Sequence, residues 1–221
     1  MPKSGNNFKS IDVRLIVRFL ERKFFDFFPG YLFLLRKFSF HLFSELTSLL
    51  LPYIRHGKIL DIGTGHGTVP VEFAKIAGDI SVFIGVDISE NLLKRARQLA
   101  KSEAVDHKVR FVRSDAHSLS FSAGVFDYIV STGSLNLWKS PVAVLDEAYR
   151  VLKPGGRFWL FDQCRVKSIR DLTGALFRRR FFGIGLTAYS EEEIKGFIQK
   201  SRFNNYKLKI EDMIVCVEMI K

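Results

Sequence analysis

The chain has 221 residues, 47% of them hydrophobic, which suits one α/β domain with a modest appendage and argues against wholesale disorder. Its two cysteines, Cys164 and Cys216, exclude a disulfide framework and a cysteine-based zinc site, and they suit a reducing cytoplasm. The formal net charge of +11 favours anionic partners such as phospholipid, phosphorylated metabolites or nucleic acid, unless the basic residues merely keep a phenylalanine-rich chain soluble.

Residues 1–57 are predicted to form an amphipathic helical cap. Ten of the 22 phenylalanines fall here, and apolar residues at helical spacing alternate with arginines on another face. No charge-free stretch approaches the roughly 18 residues that a membrane-spanning helix needs, and the order of residues is not that of a signal peptide. We therefore expect the cap either to pack on the following domain or to lie against a membrane.

From Lys58 onward, short apolar runs alternate with helical patterns, which is typical of a parallel sheet with crossover helices. The predicted strands are Lys58–Ile62, Val82–Asp87, Val109–Ser114, Phe126–Ser131, Arg157–Asp162, Asn205–Ile210 and Ile214–Met219. The predicted helices are Val69–Ile76, Glu90–Ser102, Val142–Val151 and Glu191–Lys200. The fold class is therefore α/β, a doubly wound Rossmann-like sheet over residues 58–221.

The chain between the first strand and the first helix is rich in glycine. It reads Gly63-Thr64-Gly65-His66-Gly67, in which glycine permits positive φ and lets backbone amides approach a ligand. Dinucleotide enzymes also use such a turn, but with the spacing G-x-G-x-x-G. Asp61 precedes the first glycine by two residues, where a carboxylate would repel a pyrophosphate. The site is therefore predicted to take a ligand with an ammonium group.

Two further carboxylates follow the next two predicted strands. Asp87 ends the second strand, where an acidic side chain can accept both hydroxyls of a ribose. Asp115 follows the third strand and can accept a hydrogen bond from the exocyclic amine of adenine. Either aspartate could instead cap a helix. Three acids at three successive strand ends nevertheless favour an adenosine-containing ligand.

These motifs together resemble the class I S-adenosylmethionine-dependent methyltransferases, particularly the small-molecule group that includes the ubiquinone and menaquinone methyltransferases (methyltransferase type 11). The resemblance covers roughly residues 59–162. It rests on ILDIGTGHG at 59–67, GVDIS at 85–89, VRFVRSDAHSLSF at 109–121, FDYIVSTGSLNLW at 126–138 and LDEAYRVLKPGGRFWLFD at 145–162. It implies a seven-stranded sheet of order 3-2-1-4-5-7-6, with strand 7 antiparallel.

The resemblance also implies S-adenosyl-L-methionine as the cofactor. The positions that match the family's cofactor-binding residues are Asp61, Gly63, Thr64, Gly65, Gly67, Asp87, Ile88, Asp115, Ala116 and Ser131. In that family Asp61 would lie near the methionine ammonium, Asp87 at the ribose and Ile88 beside the adenine. Asp115 and Ala116 would recognise the adenine, and Ser131 would lie at a strand tip under the sulfonium.

The acceptor is less sharply predicted than the cofactor. The segment Ser131-Thr132-Gly133-Ser134 lacks the Asn/Asp-Pro-Pro-aromatic motif of adenine-N6 enzymes, and neither cysteine lies where a C5 base methyltransferase needs its nucleophile. His66 is a candidate general base, and no metal site is predicted. Tyr31 and Trp138 are candidates either for the acceptor pocket or for the core.

Residues 163–189 form a predicted insertion on the substrate side. Arg178 and Arg179 lie in it beside two phenylalanines, where they could bind phosphate, touch an anionic bilayer or simply be solvated. The leading hypothesis is a methyltransferase for a small or lipid-like acceptor, working in the cytoplasm or peripherally at a membrane. An RNA methyltransferase and a non-catalytic scaffold that binds the cofactor are the alternatives.

Overall fold

The computed structural model of the protein describes residues 50–54, 56–77, 81–165, 188–211 and 214–221. Within these ranges the strands are β1 (Gly57–Ile62), β2 (Ser81–Asp87), β3 (Val109–Arg113), β4 (Phe126–Thr132), β5 (Leu152–Gln163), β6 (Asn205–Glu211) and β7 (Ile214–Ile220). The helices are α1 (Thr68–Ile76), α2 (Glu90–Ser102), α3 (Pro141–Val151) and α4 (Glu191–Lys200), and 3-10 turns lie at Leu51–Tyr53 and Leu135–Leu137.

All seven strands form one sheet in the order β3-β2-β1-β4-β5-β7-β6. Strands β1 to β5 run parallel, whereas β7 is antiparallel to both of its neighbours. The order confirms the predicted one. Because parallel strands place their carboxyl ends at one edge of a sheet, the residues that follow β1, β2, β3, β4 and β5 meet at that edge.

Two hydrophobic clusters cover the two faces of the sheet, as a doubly wound fold requires. Side chains of α1 and α2 belong to the first cluster, where the rings of Phe73 and Phe83 stack at 5.7 Å. Side chains of α3 and α4 belong to the second. Successive residues of β1 alternate between the two: Ile59 lies in the first cluster, whereas Leu60 lies in the second.

The end of the predicted cap packs on this domain. Leu50 and Ile54 are buried members of the first cluster, and β1 begins at Gly57, one residue earlier than predicted. The other residues of the cap, 1–49 with Tyr31 among them, lie outside the described residues. Packing is thus observed for the segment that adjoins the sheet.

The predicted start of the fifth strand at Arg157 is wrong. Strand β5 begins at Leu152, which pairs with Phe126, so that the Lys153–Gly156 segment lies inside the strand and shifts its register. The N–H of Gly155 donates to the carbonyl of Lys221 (2.8 Å), and the N–H of Lys221 donates to Gly156 (3.2 Å). The proline and glycines therefore bend a strand that the last residue of the chain holds in place.

Candidate active site

The glycine-rich loop connects β1 to α1 and is tied to the neighbouring strand. The N–H groups of Gly63 and Thr64 both donate to the carbonyl of Val86, at 3.0 and 2.9 Å. Gly63, Gly65 and Gly67 have φ of +76°, +55° and +79°, the left-handed region that favours glycine. The loop is therefore a fixed structure that depends on its glycines.

The three glycines are needed for different reasons. A Cβ at Gly63 would lie 2.7 Å from Cβ of Ser134, and one at Gly67 would lie 2.6 Å from Cζ of Phe111. A Cβ at Gly65 would meet no atom within 4 Å. Gly63 and Gly67 therefore allow close packing within the protein, whereas Gly65 borders open space into which a ligand can come close to the backbone.

Asp61 is buried at the end of β1, and neither of its carboxylate oxygens has a hydrogen-bond partner among the described residues. The residue is 3% exposed. Burial raises the pKa of Asp61 to about 7; the nearby Thr64 hydroxyl opposes this rise although its geometry is not that of a hydrogen bond, and the negative charge of Asp87 adds to it. An unpaired buried carboxylate is costly, and a cationic group of a ligand would compensate it. The residue fits the ammonium group of the predicted cofactor.

Asp87 ends β2 and reaches across to the glycine-rich loop. Its Oδ2 accepts from the N–H of Gly65 (3.0 Å) and its Oδ1 from the N–H of Ser89 (2.9 Å). The cap of α2 is instead Ser89, whose Oγ accepts from the N–H of Leu92. Since each carboxylate oxygen can accept a further hydrogen bond, Asp87 fits ribose hydroxyls. Ile88, 63% exposed beside it, offers an apolar surface for a base.

Asp115 follows β3 and belongs to a segment, residues 114–125, that contains no helix. Helix capping therefore does not explain this aspartate. Its side chain is 52% exposed, and its Oδ1 accepts from both the backbone N–H and the ring Nδ1 of His117, at 2.9 and 2.7 Å. These contacts hold the pKa of Asp115 below its usual value. The half-buried Ala116 packs against the second cluster.

The strand ends of β4 and β5 carry polar groups that bind one another. The buried hydroxyl of Ser131 donates to the carbonyl of Ile62 (2.7 Å) and lies 2.5 Å from Oγ of Ser134. Asp162, buried at the end of β5, accepts from the N–H of Leu135 (2.7 Å) and from the side-chain amide of Asn136 (3.1 Å). Burial raises the pKa of Asp162. These contacts fix the loop that follows β4.

Of the remaining predicted site residues, the structure describes only His66 and Trp138. His66 is exposed in the glycine-rich loop, and Trp138 is buried in the second cluster. Arg178 and Arg179, like Tyr31, lie outside the described residues. The exposed apolar residue near the end of β4 is Leu137, with 81% of its surface accessible.

The sequence did not predict a role for Asp162 or Asn136, and it offered His117 only as a histidine of the surface or a candidate base by type. Asp162 had the signal that identified Asp87, an acid at the end of a strand. Asn136 has a buried Oδ1 without a hydrogen-bond partner, while its amide is held by Asp162. That pairing is not visible in a pattern of residue types, since the two residues are 26 positions apart.

Comparison with known protein families shows to which family the chain belongs. Residues 55–179 match the sequence profile of a methyltransferase domain family. The chain belongs to this family. That membership identifies S-adenosylmethionine as the cofactor and confirms the resemblance found in the sequence.

Individual methyltransferases also match the chain. The ubiquinone/menaquinone biosynthesis C-methyltransferase of Dinoroseobacter shibae is 37% identical over 48% of this chain and 42% of its own length. The 27-O-demethylrifamycin SV methyltransferase of Amycolatopsis mediterranei is 35% identical over 63% of this chain and 50% of its own. The chain spans about half the length of these relatives.

The structural comparison agrees at the level of the fold. A SAM-dependent methyltransferase from Aquifex aeolicus superposes with a TM-score of 0.65 at 16% identity, over 80% of this chain and 88% of that one.

In the part of the chain that the structure describes, no helix is both long enough and apolar enough to cross a membrane.

Proposed function

We propose that this methyltransferase transfers the methyl group of S-adenosylmethionine to a small or lipid-like acceptor. The observation that carries the proposal is the unpaired carboxylate of Asp61, buried beside the glycine-rich loop. Among the described residues, no cation lowers the raised pKa of this carboxyl, so that a positively charged ligand would supply the partner it lacks there. A methionine moiety brings such a charge on its ammonium group.

Each part of the cofactor has a counterpart at the sheet edge. Asp61 binds the ammonium, and the open side of Gly65 lets the ligand lie against the backbone. Asp87 accepts the ribose hydroxyls with the lone pairs that Gly65 and Ser89 leave free. Ile88 and Ala116 flank the adenine, and Asp115 accepts a hydrogen bond from its amine.

The protein's contribution to the reaction is alignment and the exclusion of water. The bound cofactor supplies an electrophilic methyl group on a sulfonium. Contacts of Ser131 and Asp162 hold the loop after β4 rigid, so that an acceptor resting on it keeps its orientation. Such positioning can contribute roughly 7–11 kcal/mol to a bimolecular reaction, and an apolar wall adds to it by removing water.

The acceptor side of this proposal rests on an exposed apolar residue and on charge. Leu137, 81% exposed on the loop after β4, offers an apolar contact to an acceptor. The basic excess lies in residues 1–58 and 163–221, while residues 59–162 are balanced. This distribution supports a lipid-like or anionic acceptor reached at a membrane face. His66, exposed in the glycine-rich loop, is the candidate base for an acceptor that must lose a proton.

Calorimetric titration with S-adenosylhomocysteine tests the cofactor part of the proposal. We expect binding by the native protein, and a loss of about 100-fold in Asp87→Ala, since two hydrogen bonds to a charged group are removed. Asp106→Ala is the matched control, because Asp106 is an exposed carboxylate in the connection from α2 to β3, at the opposite edge of the sheet. A native protein that does not bind would contradict the proposal.

The acceptor part needs a separate experiment. Quinones, phenols and lipids are offered to the protein together with S-adenosylmethionine that carries a labelled methyl group, and label in the organic product identifies the acceptor class. Liposomes that contain anionic lipid test the membrane face, and a protein that they do not retain at low salt acts away from the membrane.

A further inference from the structure

The imidazole of His117 connects two loops at the edge of the sheet. Its Nδ1 lies 2.7 Å from Oδ1 of Asp115, in the loop that follows β3. Its Nε2 lies 3.2 Å from the backbone nitrogen of Ser140, which immediately precedes α3. The ring therefore joins the adenine side of the site to the first turn of a helix that packs in the second cluster.

The two contacts determine which nitrogen of the ring donates a hydrogen bond and which accepts one. A backbone N–H can only donate, so Nε2 must accept from Ser140 with its lone pair. The Asp115 carboxylate can only accept, so Nδ1 must carry the proton that it donates. His117 is consequently the neutral Nδ1–H tautomer whenever both hydrogen bonds are present, and it delivers a fixed donor to one oxygen of Asp115.

This arrangement leaves the other oxygen of Asp115 for a ligand. Oδ1 already accepts from the ring and from the backbone N–H of His117, at 2.7 and 2.9 Å. Two donors on one oxygen restrain the rotation of the carboxylate, and Oδ2 belongs to a side chain that is 52% exposed and accepts no hydrogen bond from the described residues. A half-exposed aspartate without this support would be free to change rotamer.

Helix α3 supports the same loop through a second pair of residues. Oε2 of Glu147 accepts from the N–H of Leu119 (2.8 Å), and Nη1 of Arg150 donates to the carbonyl of Phe121 (2.7 Å). Glu147 and Arg150 are themselves paired at 2.7 Å. The segment after β3 is thus anchored at several points, and the anchor provided by His117 is the one that reaches the carboxylate.

We propose that His117 is a positioning residue for base recognition: it orients the Asp115 carboxylate so that its free oxygen accepts the 6-amino group of the adenine. The inference rests on the proposed function, because it assumes that the adenosyl part of the cofactor binds at the end of β3. In this proposal His117 acts through Asp115.

The test compares two ligands that differ only in that amino group. These are S-adenosylhomocysteine and its analogue with an unsubstituted purine base, and the quantity measured is the ratio of their dissociation constants. A charge-assisted hydrogen bond to a half-exposed carboxylate corresponds to a preference of about tenfold for the amine. We expect His117→Ala to lower this ratio by about threefold or more toward that of Asp115→Ala, where the preference disappears.

Two conservative variants separate the two hydrogen bonds of the ring. In His117→Asn the side-chain amide occupies the place of Nδ1 and still donates to Asp115, so that the ratio stays near its native value. In His117→Gln the side chain reaches the place of Nε2 and serves Ser140 only, so that the ratio falls. His107→Ala is the control, because His107 is an exposed histidine in the loop that precedes β3.

The outcomes distinguish the inference from the function on which it rests. A native protein that binds neither ligand contradicts both. Native binding with a ratio near one, or a His117→Ala variant that loses affinity equally for the two ligands, overturns the inference and leaves the proposed cofactor site intact. A His117→Asn variant that discriminates no better than His117→Ala also overturns it.

Discussion

The two halves of the carboxyl edge of the sheet use their polar groups in opposite ways. At the ends of β1, β2 and β3 lie the three carboxylates that we propose bind the cofactor, Asp61, Asp87 and Asp115 (the cofactor set). They have lone pairs that accept no hydrogen bond from the described residues. At the ends of β4 and β5, a framework set of Ser131 and Asp162 is hydrogen-bonded to neighbouring backbone and side chains.

The difference shows where folding and binding compete. An unpaired buried carboxylate lowers the free energy of unfolding, so its presence is explained by a ligand that pairs with it. When a side chain that already accepts hydrogen bonds from several protein donors is removed, those donors lose their partners and the folded state is destabilised. Substitutions in the cofactor set should therefore weaken binding more than folding, and substitutions in the framework set should weaken folding more than binding.

Asp61→Asn should give the largest effect, and its sign depends on pH. The pKa of Asp61 is about 7 in the folded protein, whereas that of an aspartate in an unfolded chain is about 3.8. Between these two pH values the folded state therefore binds one more proton than the unfolded state. Native stability is therefore lost as pH rises from about 4 to 7, by up to about 4 kcal/mol. Asp61→Asn lacks this loss, so its stability relative to the native protein should rise over that interval.

Urea unfolding of both proteins at pH 4.5 and pH 8 measures this difference, with Asp106→Asn as a control at an exposed carboxylate. Calorimetry should at the same time show that Asp61→Asn has lost affinity for S-adenosylhomocysteine. In the native protein that affinity should increase as pH rises through about 7, because the ammonium requires the ionised carboxylate. Identical pH dependence of unfolding in the variant would show that Asp61 has a partner at neutral pH.

Asp162→Ala should lower the free energy of unfolding by about 3 kcal/mol, since it leaves the buried N–H of Leu135 and the amide of Asn136 unpaired. Asn136→Ala is the matched control, because it removes a single donor and leaves the backbone contact of Asp162 in place; about 1 kcal/mol is expected. Thermal unfolding at pH 7 compares the two. If the two variants lose the same free energy of unfolding, the hydrogen bond from Leu135 to Asp162 contributes nothing measurable to stability.

The glycine-rich loop contains one glycine that matters for packing, Gly67, and one that borders the proposed ligand space, Gly65. Gly67→Ala should destabilise the protein by about 2–3 kcal/mol, because it combines left-handed backbone with a Cβ 2.6 Å from the Phe111 ring. Gly65→Ala has the backbone strain alone and should cost about 1 kcal/mol. Among the molecules that fold, Gly65→Ala should lose more affinity for S-adenosylhomocysteine than Gly67→Ala. The reason is that a Cβ at Gly65 projects into the open space that we propose the ligand occupies. A Gly65→Ala protein with native affinity would remove the ligand from that space.

The positions of the proposed cofactor set were easier to predict from the sequence than the contacts of the framework set, for a physical reason. Asp61, the glycines and Asp87 stand at fixed distances from a strand that apolar residues reveal, so their position at the sheet edge follows from topology. The strand order also followed, from the resemblance. The contacts of Asp162 with Leu135 and of Ser131 with Ile62 join segments distant in sequence, and no local pattern encodes them.

The wrong start of the fifth strand has the same origin. Residues 153–156 combine proline and glycine, which locally favour a turn, but pairing with β4 and with Lys221 keeps them in strand β5. Trp138 carried two interpretations because a large aromatic residue after a strand suits a pocket or a core equally well. Its burial in the second cluster follows from the turn at Leu135–Leu137, which exposes Leu137 in its place.

Ser131→Ala should give the smallest effect and decides to which set this residue belongs. Its hydroxyl donates to the carbonyl of Ile62, and Oγ of Ser134 lies 3.3 Å from the same carbonyl and can replace it. We therefore expect a loss of about 1 kcal/mol in stability and an affinity for S-adenosylhomocysteine that changes by less than about twofold. Urea unfolding and calorimetry measure the two, with Asp87→Ala as the reference for a residue of the cofactor set. If affinity instead falls by about tenfold while stability is kept, the hydroxyl leaves Ile62 to bind the ligand, and Ser131 then belongs with Asp61 and Asp87.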